Sequence, residues 1–163
     1  MRVYLPSTFA GLRGLQLAAE IGPPPLHGHA VTPALRESYA VGDTEELEHV
    51  ALLAASSDSL SLLSDDASVP RRRVVIAALV PDESVQRADD GDESSVTVMA
   101  TVPLSAVQAV LVDDPDTEYV IDRAAQAWRA AQTGDDDALF ELDEASAHDL
   151  MWFARQELDQ LLS

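Results

Sequence analysis

The chain has 163 residues and a formal net charge of −19 at pH 7, with 29 acidic against 10 basic residues. All ten are arginines, and lysine, asparagine and cysteine are absent. The charge argues against nucleic-acid and anionic-membrane partners, and the absent residue types exclude lysine Schiff bases, thiol nucleophiles, disulfides and thiolate metal sites.

The length and composition predict one globular domain spanning residues 1–163. A hydrophobic fraction of 47% is ordinary for a globular chain, so the strong charge does not indicate disorder. The longest apolar run, Val74 to Val80, is far shorter than a membrane span. Pro6 interrupts the N-terminal segment before the apolar region of a signal peptide can form. We therefore predict a cytoplasmic protein that does not interact with membranes.

The absence of lysine and asparagine has two explanations at the level of the genome. A-rich codons encode both residues, so a GC-rich genome depletes them. Salt-adapted proteomes are also rich in aspartate and poor in lysine, and here 18 of the 29 acidic residues are aspartates. Neither explanation assigns a function.

Strand-like segments recur along the chain. The best two cover residues 73–80 and 95–102, which are rich in valine and contain no glycine or proline. Shorter strand-like segments cover residues 2–5, 29–32, 108–112 and 138–142.

The first three of four predicted amphipathic helices have recognisable starts. Ser7 is expected to cap the first helix. Asp43 with Glu46 has the spacing of a capping box for a second, long helix. Asp114 followed by Pro115 indicates the start of the third, because proline at the first helical position costs no hydrogen bond.

The fourth helix is predicted at the C-terminus, beginning near Asp143 or Ser146. Helical spacing then places five apolar side chains on one face. They are Leu150, Phe153, Ala154, Leu158 and Leu161.

This pattern predicts an α+β or mixed α/β fold, in which a single mixed β-sheet is covered by about four amphipathic helices. The two best strands have no helix between them, which breaks a strict βαβ alternation. The segment between them carries several acidic side chains around Gly91. We predict that this acidic loop, at about residues 81–95, is mobile and lies outside the packed core.

His27 and His29 are candidates for metal binding. Residues two apart in an extended segment face the same side, so both imidazoles can reach one ion. No acidic residue follows within five positions, so a third ligand has to be distant, such as His49 or His148. The sequence favours a surface loop that leads into a short strand, and we predict no metal site and no cofactor.

The acidic run Asp89–Glu93 resembles a calcium loop only superficially. An EF-hand carries a glutamate six residues after its central glycine, and here Thr97 stands six residues after Gly91. The run Asp135–Asp137 is likewise predicted to be a solvated turn.

Arg71, Arg72 and Arg73 form the basic cluster of the chain. Guanidinium groups bind carboxylates and phosphates in bidentate geometry, but at the start of a strand in so acidic a chain they are better explained as local charge neutralisation. The serines between Ser56 and Ser64 predict a closely packed helix. Nucleophile-elbow, dinucleotide and phosphate-loop motifs are absent from the sequence, so no catalytic residue is predicted.

Two further clusters are candidates for a polar binding pocket. One combines Arg36 and Tyr39 with the acidic helix start at Glu45 and Glu46, and the other pairs His148 with Trp152, one helical turn apart. The predicted binding residues are Arg36, Tyr39, Glu45, Glu46, His148 and Trp152. In the structural alternative, Arg36 pairs with a nearby carboxylate and the two aromatic side chains cover the edge of the sheet.

Several segments occur together in a combination that resembles a known family. They are M-R-V-Y-L-P, H-A-V-T-P-A-L-R-E-S-Y, E-E-L-E-H, R-R-V-V-I-A-A-L-V-P and H-D-L-M-W-F-A-R-Q-E-L. The family consists of short actinobacterial proteins classed as a domain of unknown function, and the resemblance spans nearly the whole chain. It implies an actinobacterial source with a GC-rich genome, and it implies no activity. The motif residues that carry functional groups are Arg36, Glu37, Tyr39, Glu45, Glu46, His148 and Trp152.

We therefore expect a small, acidic, non-enzymatic protein that acts as a binding or regulatory partner of another protein and self-associates into a homo-oligomer. The alternative is an enzyme or small-ligand-binding protein with a polar pocket around Arg36, Tyr39, Glu46 and His148. A third hypothesis is that aspartate-rich surfaces imitate the phosphates of a nucleic acid and occupy a basic partner.

Overall fold

The computed structural model describes residues 1–39 and 42–163, which form nine strands and six helices. The strands are Arg2–Ser7 (β1), Glu20–Ile21 (β2), Leu26–Ala30 (β3), Val74–Leu79 (β4), Val85–Arg87 (β5), Ser95–Val98 (β6), Val102–Pro103 (β7), Val107–Val112 (β8) and Met151–Ala154 (β9). The helices are Phe9–Ala18 (α1), Pro33–Ser38 (α2), Thr44–Asp65 (α3), Glu118–Gln132 (α4), Asp136–Ser146 (α5) and Leu158–Leu162 (α6).

Seven strands form one sheet in the order β5-β6-β3-β1-β4-β8-β9, and β2 pairs with β7 separately. The α+β prediction is confirmed, but all pairs in the sheet are antiparallel, so it is not a mixed sheet. The reason is that α3 connects β3 to β4 as in a βαβ unit, while β1 lies between these two strands and runs opposite to both. Strands β3 and β4 run in the same direction, but β1 separates them, so they do not form a parallel pair.

Both faces of the sheet are covered. On one face, α1 and α6 pack on an aliphatic cluster of the central strands, whose members include Val3, Leu5, Val74, Ile76, Val110 and Val112. On the other face, the small side chains Ala51 and Ala55 let α3 pack closely against Tyr4. The α4–α5 hairpin packs behind α3 through a cluster that contains Leu63 and Ile121. None of the helices in the described part of the chain has the length and apolarity needed to cross a bilayer.

The starts predicted for the second and third helices are confirmed. Asp43 accepts a hydrogen bond of 2.8 Å from the backbone N–H of Glu46 and so caps α3. Asp114 caps a short 3-10 turn that leads into α4. The cap of α1 is Thr8 rather than Ser7, because Ser7 is still part of β1.

The C-terminal region differs from the prediction. Residues 138–142, predicted as a strand, lie inside α5, and the expected helix start near Asp143 or Ser146 falls in the last turns of that helix. Residues 151–154 instead form β9, which pairs with β8. The apolar spacing of this short segment fits a helix or a strand, and the available edge of β8 favours the strand.

Ser59 connects α3 to the two central strands. Its hydroxyl donates to the backbone oxygen of Ser7 at 2.8 Å and accepts from the backbone N–H of Val74 at 2.9 Å. Ser7 and Val74 are paired at the ends of β1 and β4. Both Ser59 and Ser56 are buried, which confirms the prediction of a closely packed serine-containing helix.

The side chains of Arg71, Arg72 and Arg73 all contact other residues of the chain. The Arg73 side chain is 6% exposed and donates from Nε and Nη2 to both carboxylate oxygens of Asp113, whose side chain is fully buried. Arg71 donates to the last carbonyls of α3 and to Asp122. The Arg72 guanidinium lies 4.7 Å from the ring centroid of Phe9.

Replacing Ser59 by alanine is expected to destabilise the fold by about 1–3 kcal/mol, because a buried N–H and a buried carbonyl lose their partner. Urea denaturation followed by circular dichroism measures this difference. Ser57→Ala is the matched control, since Ser57 is exposed on the same helix. Equal effects of the two substitutions would contradict the bridging role of Ser59.

Arg73→Met is expected to destabilise the protein by about 3–5 kcal/mol, because the Asp113 carboxylate stays buried without its cation. The control is Arg129→Met, which removes an exposed ion pair with Asp65 in which the charged atoms are 3.9 Å apart. Such surface pairs contribute little. Urea denaturation measures both variants. If the denaturation midpoint of Arg73→Met shifts no more than that of Arg129→Met, the buried ion pair does not stabilise the fold.

Candidate functional site

Two histidines of β3 and one aspartate of α3 meet on the face of the sheet that α3 covers. His27 and His29 are two residues apart in a strand, so they project to the same side. Gly28 between them lies against β1, where a Cβ atom would come within 3.0 Å of the Tyr4 carbonyl oxygen. Glycine at this position therefore lets the strand that carries both histidines pair closely with β1.

The three side chains form the His27–His29–Asp58 cluster. Asp58 Oδ2 lies 2.8 Å from Nε2 of His27 and 2.5 Å from Nε2 of His29. The centroids of the two imidazole rings are 5.1 Å apart, with an angle of 80° between the planes. One ligand atom from each residue lies within 4.8 Å of the other two, which is close enough for all three to hold one metal ion.

The cluster is buried on one side and open on the other. The His29 side chain is 3% exposed, whereas those of His27 and Asp58 are 45% and 37% exposed. His29 thus forms the floor of the cluster, and the other two residues form its accessible rim.

The electrostatics keep Asp58 ionised. Burial alone would raise the pKa of Asp58, but hydrogen bonds from His27 and His29 outweigh burial and hold the pKa of Asp58 far below its usual range. The hydrogen bond to Asp58 also raises the pKa of His27, against a smaller opposing effect of burial, and the charges of Asp90 and Asp92 add to this rise. At neutral pH the cluster therefore offers a carboxylate to a cation.

A second layer of hydrogen bonds orients His29. The Ser94 hydroxyl donates its proton to Asp92 Oδ1 at 2.7 Å. Its oxygen lies 2.7 Å from Nδ1 of His29. This contact holds the ring so that Nε2 is the nitrogen that faces Asp58. This is the arrangement that orients ligating histidines in metal sites.

The acidic loop supplies that second layer. Ser95 donates to Asp90 at 2.5 Å, and the backbone N–H of Ala30 donates to the Ser94 carbonyl at 2.9 Å. Thr32 also donates to the carbonyl of Glu93. Within the segment predicted as a mobile loop, Val85–Arg87 forms the end strand β5 and the turn before β6 is attached to β3. Mobility of the remaining loop and the single-domain organisation stay predictions.

A groove of about 420 Å³ adjoins the cluster. His27 and Asp58 form one part of its wall, and the remainder is mostly apolar. The other lining residues are Leu5, Pro6, Ile21, Pro25, Leu26, Ser61 and Leu62. The groove therefore extends to the accessible rim of the cluster.

The first set of predicted binding residues lies elsewhere, at the junction of α2 and α3. Arg36 contacts the Thr44 hydroxyl at 3.4 Å rather than a carboxylate. A Cβ atom at Gly42 would lie 3.5 Å from Oε2 of Glu46 and 3.7 Å from Cβ of Tyr39, so both side chains are close to this glycine. These side chains are exposed, as is that of Glu45 in the first turn of α3.

The second predicted set lies at the end of the sheet near β9. His148 lines a separate cavity of about 240 Å³ together with His49. Trp152 is 60% exposed on β9, so stacking on His148 one helical turn away is wrong for this segment. No hydrogen bond or ion pair between described residues joins this set to Arg36, and a pocket shared by the two sets stays a prediction.

Asp58 is the member of the cluster that sequence reasoning missed. It is separated from His29 by 29 positions, so no local spacing reveals it, and His49 and His148 are not the third member. One signal was present in the sequence. Asp58 follows Ala55 by three residues and Ala51 by seven, which places an acidic side chain on the buried stripe of a helix.

Comparison with curated proteins and with solved structures finds no match to the chain. A family model described as a family of unknown function (DUF6912) matches residues 1–162. The sequence resemblance to a domain of unknown function is thereby confirmed. The chain belongs to this family, DUF6912.

Proposed function

We propose that the protein binds a divalent transition-metal ion, Zn²⁺ as the first candidate, through His27, His29 and Asp58. The observation that supports this is the convergence of two Nε2 atoms and one carboxylate oxygen within 4.8 Å. Zinc accepts nitrogen and oxygen ligands, and sites with three protein ligands keep a fourth position open for water or another ligand. The proposal agrees with the small-ligand-binding alternative from the sequence but uses a different site.

The geometry requires only a small adjustment for the ion to enter. In a tetrahedral site with bonds of about 2.0–2.1 Å, the ligand atoms lie about 3.3 Å apart. Asp58 Oδ2 is now closer than this to both imidazole nitrogens, at 2.8 and 2.5 Å, because protons occupy the hydrogen bonds. A bound ion would replace those protons, and the partly exposed Asp58 side chain has room on its open side to adjust its distance.

The surroundings favour a cation. The bond from His29 to Ser94 fixes the imidazole with Nε2 toward the ion. One carboxylate ligand leaves a bound Zn²⁺ with a local charge of +1 in a chain whose net charge is −19, and this long-range attraction promotes binding.

Self-association is a second candidate function, and it can coexist with metal binding. Strand β9 lies at one end of the seven-stranded sheet, and its Trp152 is 60% exposed. End strands offer unpaired backbone groups to another strand, and tryptophan is enriched at interface centres. We propose that two copies pair through β9, in agreement with the self-association expected from the sequence.

Protein stripped with a chelator is expected to bind one Zn²⁺ per chain in isothermal titration calorimetry. His29→Gln and Asp58→Asn each remove a ligand and are expected to weaken binding by at least about 100-fold. Ser94→Ala removes an outer-shell contact and is expected to weaken it by about 10–100-fold. Circular dichroism of each variant verifies that it is folded.

The controls for the zinc experiment are His49→Gln and His148→Gln, which remove exposed histidines outside the cluster. Their zinc affinity is expected to equal that of the unmodified protein. If the protein binds no zinc, or if the controls lose as much affinity as His29→Gln, the cluster is a hydrogen-bonded connection between β3 and α3 and not a metal site.

Association through β9 is expected to strengthen with added salt, which screens the repulsion between two strongly acidic copies. Trp152→Ser is expected to weaken the dimer at least about tenfold in sedimentation equilibrium, because exposed tryptophans at interfaces contribute strongly. Leu17→Ser is the control, since Leu17 is 87% exposed on α1. A monomer at both low and high salt would rule out this interface.

A further inference from the structure

The groove beside the cluster combines a cation site with an apolar wall. Its accessible rim is formed by His27 and Asp58, and the floor residue His29 is turned toward Ser94. A bound ion would therefore keep its open coordination position on the groove side, where His27 and Asp58 line the wall. An exogenous ligand that enters the groove meets the ion at that position.

Apart from His27, Asp58 and Ser61, the residues that line the groove are apolar. Leu62 is 40% exposed on α3, and the partly buried side chains of Leu26 and Ile21 line the same groove. Burying this apolar surface against a hydrocarbon chain is favourable in proportion to the area removed from water. The volume of about 420 Å³ lies in the lower part of the range for small-molecule sites.

The charges around the groove determine which head group of a ligand is favoured. Among the described residues that line the groove, His27 is the only basic side chain, and none is an arginine. Without an ion, the Asp58 carboxylate in the groove wall repels anions. A bound Zn²⁺ with one carboxylate ligand carries a local charge of +1, which one carboxylate neutralises, whereas a dianionic phosphate overcompensates it.

We infer that the groove binds a monocarboxylate with a short apolar chain, whose carboxylate coordinates the metal ion while its chain packs on Leu26 and Leu62. This inference rests on the proposed metal site. Two independent requirements define this ligand class. The carboxylate head group needs the metal ion, and the hydrocarbon chain needs the apolar wall of the groove.

The test is calorimetric titration of acetate, butanoate, hexanoate and octanoate into zinc-loaded and zinc-free protein. Affinity for the loaded protein is expected to rise about three- to fourfold per methylene, the fold-change that corresponds to about 0.8 kcal/mol. The rise ends when the groove is filled. Zinc-free protein is expected to bind none of the four probes measurably.

Leu62→Ser is expected to weaken octanoate binding by about tenfold, because part of the apolar wall is lost. Leu53→Ser is the matched control, since Leu53 is exposed on the same helix and does not line this groove. The zinc content of each variant is measured before titration, so that a change in octanoate affinity is compared at equal loading.

The outcomes separate this inference from the metal proposal. If zinc fails to bind, the metal proposal fails and this inference fails with it. If zinc binds but affinity is independent of chain length, or the probes bind equally without zinc, the ligand class is wrong and the metal site stands. A chain-length dependence that requires zinc and is reduced by Leu62→Ser supports both.

Discussion

The placement of helix α3 depends on one buried hydroxyl. Ser59 satisfies the carbonyl of Ser7 and the N–H of Val74, the paired residues at the ends of β1 and β4. This contact sets both the position of the helix along the strands and its rotation about its own axis. Asp58 precedes Ser59 in the chain, so the same contact directs the Asp58 carboxylate toward β3. The candidate site is thus a consequence of how the helix is attached to the sheet.

The sheet contributes the other half of the site through its strand order. Because β1 lies between β3 and β4, α3 must cross from one of these strands to the other over the face of β1. The small residues Ala51 and Ala55 allow the crossing helix to pack closely. The close packing brings a helix side chain within hydrogen-bond distance of two histidines on a strand.

Local signals in the sequence predicted much of the fold. The valine-rich strands, the Asp43 cap and the Asp114 turn depend on neighbouring residues and were predictable. The antiparallel order and strand β9 depend on which edges are available in three dimensions, and the sequence pattern does not contain that information. The site shows the same division, because the spacing of His27 and His29 identified two candidate ligands, although the sequence favoured a surface loop without a metal site. The third became visible only when a helix 29 positions away was placed against them.

The burial around the cluster determines what kind of metal site this can be. Three hydrophobic clusters hold the sheet and helices together. In small zinc domains the metal drives folding, because the free energy of metal binding offsets the entropy lost when the chain becomes ordered. Here the fold already orders His27, His29 and Asp58, so the proposed ion would enter and leave an intact molecule. Such a site is suited to an exchangeable ion whose occupancy follows the metal supply of the cell.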